Sequence, residues 1–176
     1  MTRIAFEAAV TRHQRQVFTF ACYLLGSREE AEDVTQEVLV RLWRNTRLLG
    51  SDRLGGWLLK VTRNACYDRL RLRRRSARLF AVDQGTEARP DAPAPEPGPE
   101  ELAASAQLGR RLRAALDALG EPLKSIVILR EVQGLSYQEI AEVLELPLST
   151  VRVSLHRARR RLRERLGAEN EHAYAS

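Results

Sequence analysis

Between Pro90 and Pro99 the chain places five of its seven prolines, within the stretch DQGTEARPDAPAPEPGPEE that runs from Asp83 to Glu101. Each proline removes a backbone donor and restricts its neighbour, so neither a helix interior nor a central strand can cross this segment. Its acidic, aromatic-free composition is that of an extended, flexible linker. Folding must therefore happen on either side, in residues 1–80 and 102–176. Each half is small, and each is expected to be a compact helical unit.

Both halves read as helix after helix. Phe6, Val10, His13, Val17, Phe20 and Leu24 follow helical spacing, with Gly26 as the stop. Ser27 followed by Glu30 spells a capping box, and Ala31, Val34, Val38, Leu42 and Trp43 form the apolar face of the helix it opens. A loop, Asn45–Gly56, precedes a long helix from about Leu54 to Leu79, with Trp57, Leu58, Val61 and Ala65 as its core stripe. In the second half the pattern predicts helices over Leu102–Leu119 and Pro122–Gln133, the second closed by Gly134. Ser136 with Glu139 spells a second capping box, opening a short helix Tyr137–Leu144. A turn at ELPLS and a long basic helix follow, out to Leu166 and closed by Gly167. Short helix, tight turn, long helix is helix-turn-helix organisation. The expected fold class is all-α: two small helical domains joined by a Pro-rich linker, the C-terminal one a helix-turn-helix.

Charge narrows the partners. The net charge is +6. Residues 1–80 carry sixteen Lys and Arg against eight Asp and Glu, residues 81–105 one against six, and residues 106–176 twelve against nine. Two basic blocks around an acidic one favour a polyanion touched at two places. No apolar run approaches a bilayer span and the N-terminal MTRIAFEAAVTRHQRQ has no signal-peptide core, so a cytoplasmic protein is expected. Cys22 and Cys66 read as reduced, packed thiols.

Two basic helices are the candidate DNA readers. In the last one, Val151, Leu155, Ala158 and Leu162 face the core. That leaves Ser149, Thr150, Arg152, Val153, Ser154, His156, Arg157 and Arg160 outward, where arginine reads guanine and hydroxyls meet edges or phosphates. Arg159, Arg161, Arg163 and Arg165 extend the positive surface. In WLLKVTRNACYDRLRLRRR (Trp57–Arg75), Arg63, Asn64, Asp68, Arg71 and Arg74 line the outer side. Two such surfaces across a linker raise each other's effective concentration on one DNA.

Glu29, Glu30, Glu32, Asp33 and Glu37 crowd one helix of a basic chain. A metal nuclease would need a concave site fed from separate elements. These carboxylates share one convex helix, and His13, His156 and His172 are scattered, His13 at a core-facing position. No nucleophile–base motif or phosphate-cradling loop is present, so no catalytic residue, metal or cofactor is expected. A dimeric helix-turn-helix regulator is an alternative class, and a DNA-recombining enzyme another, although residues 1–80 supply no catalytic domain.

At this point the blocks carry a resemblance. REEAEDVTQEVLVRLWR, GGWLLKVTRNACYDRLRLRRR and ILREVQGLSYQEIAEVLELPLSTVRVSLHRARRRL resemble, in order, the segments of a bacterial RNA polymerase sigma factor of the extracytoplasmic-function (ECF) group of the sigma-70 family. The resemblance covers about residues 4–80 and 102–167 and implies an alternative sigma factor for promoter-specific transcription initiation. It implies residues 1–80 as a region 2-like domain that binds core polymerase and reads and melts the minus-ten element. Residues 81–101 would be the linker, and 102–170 a region 4-like domain for the minus-thirty-five element. Carried over, Asp33, Gln36 and Glu37 dock on the clamp helices of the polymerase largest subunit, while Glu29, Glu30 and Glu32 mainly favour the helix dipole. An anti-sigma factor, in the family often membrane-anchored, is the further implied partner. The family's pattern generally has glycine at the turn where this chain has Glu145, and a Ser-Arg pair where it has Val153 and Ser154.

Overall fold

The computed structural model describes residues 2–79 and 99–173, with side-chain surroundings for 3–77 and 106–167. Among the described residues there are seven α-helices and no strand. They are α1 (Thr2–Leu25), α2 (Arg28–Arg44), α3 (Leu54–Leu79), α4 (Pro99–Asp117), α5 (Leu123–Val127), α6 (Tyr137–Leu144) and α7 (Leu148–Ala173). The fold is all-α, built as two compact units, one around α1–α3 and one around α4–α7.

In the first unit α1, α2 and α3 pack pairwise. The core is Val17, Phe20 and Leu24 of α1, Ala31, Val34, Val38 and Leu42 of α2, and Leu58, Leu59, Ala65 and Cys66 of α3, all buried. The buried hydroxyls of Thr35 and Thr62 donate to Ala31 and Leu58 carbonyls one turn back, at 2.7 Å each, so neither is left unsatisfied. Gly26 ends α1 at φ 73°, the left-handed conformation that favours glycine. Three expectations shift here. Trp43 is not on the core face; it is half-exposed and meets Phe6 edge-on, ring centres 4.9 Å apart. On α3, Trp57 and Val61 are only half-buried, and the core stripe lies one position over, through Leu59, Thr62 and Cys66. His13 is half-buried, its Nδ1 3.3 Å from Gln16 Oε1 and its ring beside Gly55.

In the second unit α7 packs against α4 and α5. Its core joins Ala115, Leu116 and Leu119 with Ile126, Ile128, Leu129, Ile140, Val151, Leu155 and Ala158. Helix α4 starts at Pro99, inside the stretch expected as linker, because a proline suits the first helical turn. Residues 80–98, which include the rest of that stretch, lie outside the described residues. The single helix expected over Pro122–Gln133 is instead α5 followed by a π-helical turn, Ile128–Val132, in which Gln133 N donates to Ile128 O at 3.1 Å. Gly134, φ 71°, then reverses the chain. Gly167 does not close α7, which continues to Ala173. A glycine costs only about 1 kcal/mol in a helix interior, and Arg111 Nη2 donates to the Leu166 carbonyl just before it, at 3.4 Å.

Candidate nucleic-acid interface

The helix-turn-helix is set by local chemistry at each of its joints. Ser136 and Glu139 exchange both bonds of a capping box: Ser136 N donates to Glu139 Oε2 at 2.7 Å, and Glu139 N to Ser136 Oγ at 3.2 Å. The bond from the Ser136 amide, more than that from its hydroxyl, holds the Glu139 carboxyl below its usual pKa. Helix α6 ends with Glu145 at φ 54°, and Leu146 N donates to Ala141 O at 3.0 Å. That is the Schellman closure with a glutamate in the place glycine prefers. Arg130 ties the π-turn to α6, donating to Leu135 O at 2.7 Å with its guanidinium 5.1 Å from the Tyr137 ring centre. Arg159 Nε and Nη2 donate to Glu131 Oε1 at 2.9 and 2.6 Å, which raises the Arg159 pKa. Arg159 is therefore engaged in fastening α7 to the π-turn rather than standing open for phosphate.

The outer face of α7 carries the remaining candidates. Ser149, Arg152, His156, Arg157 and Arg160 are exposed, and Thr150 and Ser154 half-buried. Buried Val151, Leu155 and Ala158 hold the opposite side. Arg160 Nε lies 3.6 Å from Glu164 Oε1, an exposed pair that a phosphate can displace at small cost.

On α3, Asn64, Asp68, Arg71 and Arg74 are exposed. Arg71 Nη1 is 3.6 Å from Asp68 Oδ1. Arg63 is half-buried, its guanidinium 5.1 Å from the Tyr67 ring centre.

The acidic helix is more occupied than its sequence suggests. Ser27 Oγ accepts from Glu30 N at 3.3 Å, but the Glu30 carboxylate is taken by Arg73, whose Nε donates to Oε1 at 2.8 Å and whose Nη2 reaches Oε2. Only half of that expected capping box is formed. Arg28 pairs with Glu32 at 2.9 Å and Arg41 with Glu37 at 2.5 Å. Arg69 Nη1 donates to Asp33 Oδ2 at 3.2 Å, and its Nη2 lies 3.9 Å from Glu37 Oε2. Asp33 nevertheless stays 58% exposed and Gln36 is exposed beside it, whereas Glu37 is held from two sides. Arg69 and Arg73 are not marked in the sequence because their partners lie 36 and 43 residues away, whereas Arg28–Glu32 and Glu37–Arg41 have the four-residue spacing of neighbours on one helix.

The sequence model of sigma-70 region 2 matches residues 9–76, and that of sigma-70 region 4 matches residues 109–162. The ECF RNA polymerase sigma-E factor of Haemophilus influenzae is 30% identical over 171 residues, covering 92% of this chain and 87% of that protein. The chain belongs to the ECF group of the sigma-70 family. Sigma factors of this family bind core RNA polymerase and promoter DNA and direct transcription initiation. The ECF RNA polymerase sigma factor SigE of Mycolicibacterium smegmatis is 35% identical over 162 residues, and this sigma factor spans 62% of its length. Among solved structures, the sigma factor RpoE in complex with the anti-sigma factor NepR from Bartonella quintana superposes with a TM-score of 0.74. It is 25% identical, covering 92% of this chain and 96% of that one. Among the described residues no helix is long and apolar enough to cross a membrane, and no His, Cys, Asp and Glu cluster could hold a metal ion.

Proposed function

We propose that this sigma factor is a dissociable, cytoplasmic promoter-specificity subunit that meets its partners at three surfaces. Residues 1–80 carry two of them. Asp33 and Gln36, framed by Glu37, dock on a basic partner surface of core polymerase; complementary charge speeds and orients that encounter. Arg63, Asn64, Asp68, Arg71 and Arg74 on α3 face the downstream promoter element. Residues 102–170 carry the third, with Ser149, Thr150, Arg152, Ser154, His156, Arg157 and Arg160 facing the upstream element. Residues 81–101 join the two. Phosphate contacts by the arginines set affinity and register, while Asn64, Arg152 and Arg157 are placed to read base edges.

One observation supports the reading above the others: each unit turns an arginine-bearing helix face outward from a buried apolar core, α3 in the first and α7 in the second. Control by an anti-sigma factor belongs to the same proposal, by analogy with the Bartonella sigma factor solved with its anti-sigma partner. The chain's own part in transcription is binding and positioning; the polymerase performs the chemistry. Promoter opening also requires unstacking a base, a cost of a few kcal/mol met by binding energy.

The reading is tested by run-off transcription from a pool of bacterial genomic fragments with core polymerase, with and without the protein. New discrete start sites that appear only when the protein is added are expected. Tight operator binding by the protein alone, with no new transcript from core enzyme, would hand the case to an ordinary helix-turn-helix regulator.

A further inference from the structure

Seven large hydrophobic side chains are exposed among the described residues, and Val153, at 58%, is the one on α7. A single exposed valine is ordinary on a protein surface, but the place of this one is not. Successive turns of α7 bring Ser149, Thr150, Val153, His156, Arg157 and Arg160 along the same outward side, so Val153 is the apolar centre of a face otherwise made of hydroxyls and cations. The residues opposite it, Val151 and Leu155, are fully buried, so α7 cannot roll to hide it without exposing the core. Its χ1 is held by β-branching, and its methyl groups therefore present a preset surface at no further entropy cost.

The neighbours suit phosphates and polar base edges. An apolar side chain at the centre of the face suits only one feature of the major groove, the C5-methyl group of thymine. We propose that Val153 is a specificity-determining residue of this sigma factor and reads the 5-methyl group of a thymine in the upstream promoter element. The inference rests on the reading of α7 as the upstream-element helix and adds to it one base and one chemical group. It also gives a reason for the chain's departure from the Ser-Arg pair at Val153 and Ser154: a hydroxyl there would leave the methyl without a partner.

The test uses the full chain with core polymerase. Upstream elements are selected from random duplexes, and the thymine found is then replaced by deoxyuridine, which removes only the methyl group. Wild type should select thymine at one upstream position and bind the deoxyuridine duplex about fourfold more weakly, the worth of one buried methyl. Val153→Ser should retain its thermal melting curve and its core binding, yet no longer distinguish the two duplexes. Equal binding of both duplexes by wild type would overturn the proposal, as would a Val153→Ser variant as methyl-sensitive as wild type. If core binding persists but no upstream sequence is enriched at all, the assignment of α7 to the upstream element fails, and the proposal fails with it.

Discussion

Ser27 and Ser136 open helices with the same spelling, serine followed three residues later by glutamate, and the two helix ends differ. At Ser136 both bonds form, because exposed Glu139 can fold back on the Ser136 amide. At Ser27 only the serine bond forms, because Arg73 of α3 lies within reach and holds both oxygens of Glu30. A guanidinium that meets a carboxylate two-pronged makes the stronger, charge-assisted contact. The local motif wins where nothing from another helix competes for it.

The charge of the two units divides along the same line. In the first, arginines 28, 41, 69 and 73 engage the carboxylates of α2, so a helix that reads as strongly acidic is largely neutralised by its own unit. In the second, Glu131 takes up Arg159, while Arg152, Arg157 and Arg160 remain exposed. Counting charged residues thus overstates what α2 offers a partner and describes α7 more fairly. On α2 Asp33 and Gln36 stay exposed, Asp33 with Arg69 beside it, while Glu37 is held by Arg41 and Arg69.

Arg73 is the residue on which the difference between the two helix ends depends most. Arg73→Ala removes the bonds to Glu30 and to the Leu25 carbonyl, and should destabilise the first unit by about 1–3 kcal/mol. Urea unfolding followed by tryptophan fluorescence reads this directly, since Trp43 and Trp57, the only tryptophans, both lie in that unit. With Arg73 gone Glu30 loses its guanidinium and is free to turn to the Ser27 amide, so Glu30→Ala should cost less in the Arg73→Ala background than in wild type. Simple additivity would contradict the competition.

Next in size are the caps themselves. Ser136→Ala and Ser27→Ala each remove one bond to a serine hydroxyl and should cost about 1 kcal/mol alike. Glu139→Ala strips the Ser136 amide of its partner and should cost about 1 kcal/mol of its own, measured by circular dichroism during unfolding; a costless Glu139→Ala would remove the contrast. Glu139 adds a pH signature. Its folded-state pKa is depressed, so its contribution is full above the ordinary glutamate pKa and is lost as pH falls through the lower folded value. Glu139→Gln should flatten that acid-side loss. The smallest effect is a gain: Glu145 holds φ 54°, and Glu145→Gly should stabilise the second unit by about 0.5–1 kcal/mol. A loss on that substitution would show that the glutamate side chain matters more than its backbone.

How much of this could be read beforehand depends on how far apart the interacting residues lie. Helices α3 and α6 fall on their expected bounds, and Gly26 and Gly134 stop their helices, because periodicity and left-handed glycines act within a turn or two. Gly167 misled, since Arg111 from a distant helix reaches the last turn before it and the helix runs on. Trp43 misled because Phe6 of another helix offers its ring at half-exposure, where the period alone assigned it to the core. Outward placement of Asn64, Arg71, Arg152 and Arg157 was legible as the side opposite an apolar stripe. Arg69 and Arg73 were not, because nothing in a helical repeat marks which exposed arginine will meet a carboxylate on a neighbouring helix.

Docking through α2 is read out by co-elution of the purified protein with bacterial core RNA polymerase. Wild type is compared with Asp33→Ala/Glu37→Ala and with Glu29→Ala/Glu32→Ala. The first pair should lower core affinity about tenfold or more, while the second pair, on the same helix but away from the proposed dock, should leave it close to wild type. Unchanged binding by the first pair, or equal losses in both, would contradict the assignment of the dock to Asp33, Gln36 and Glu37.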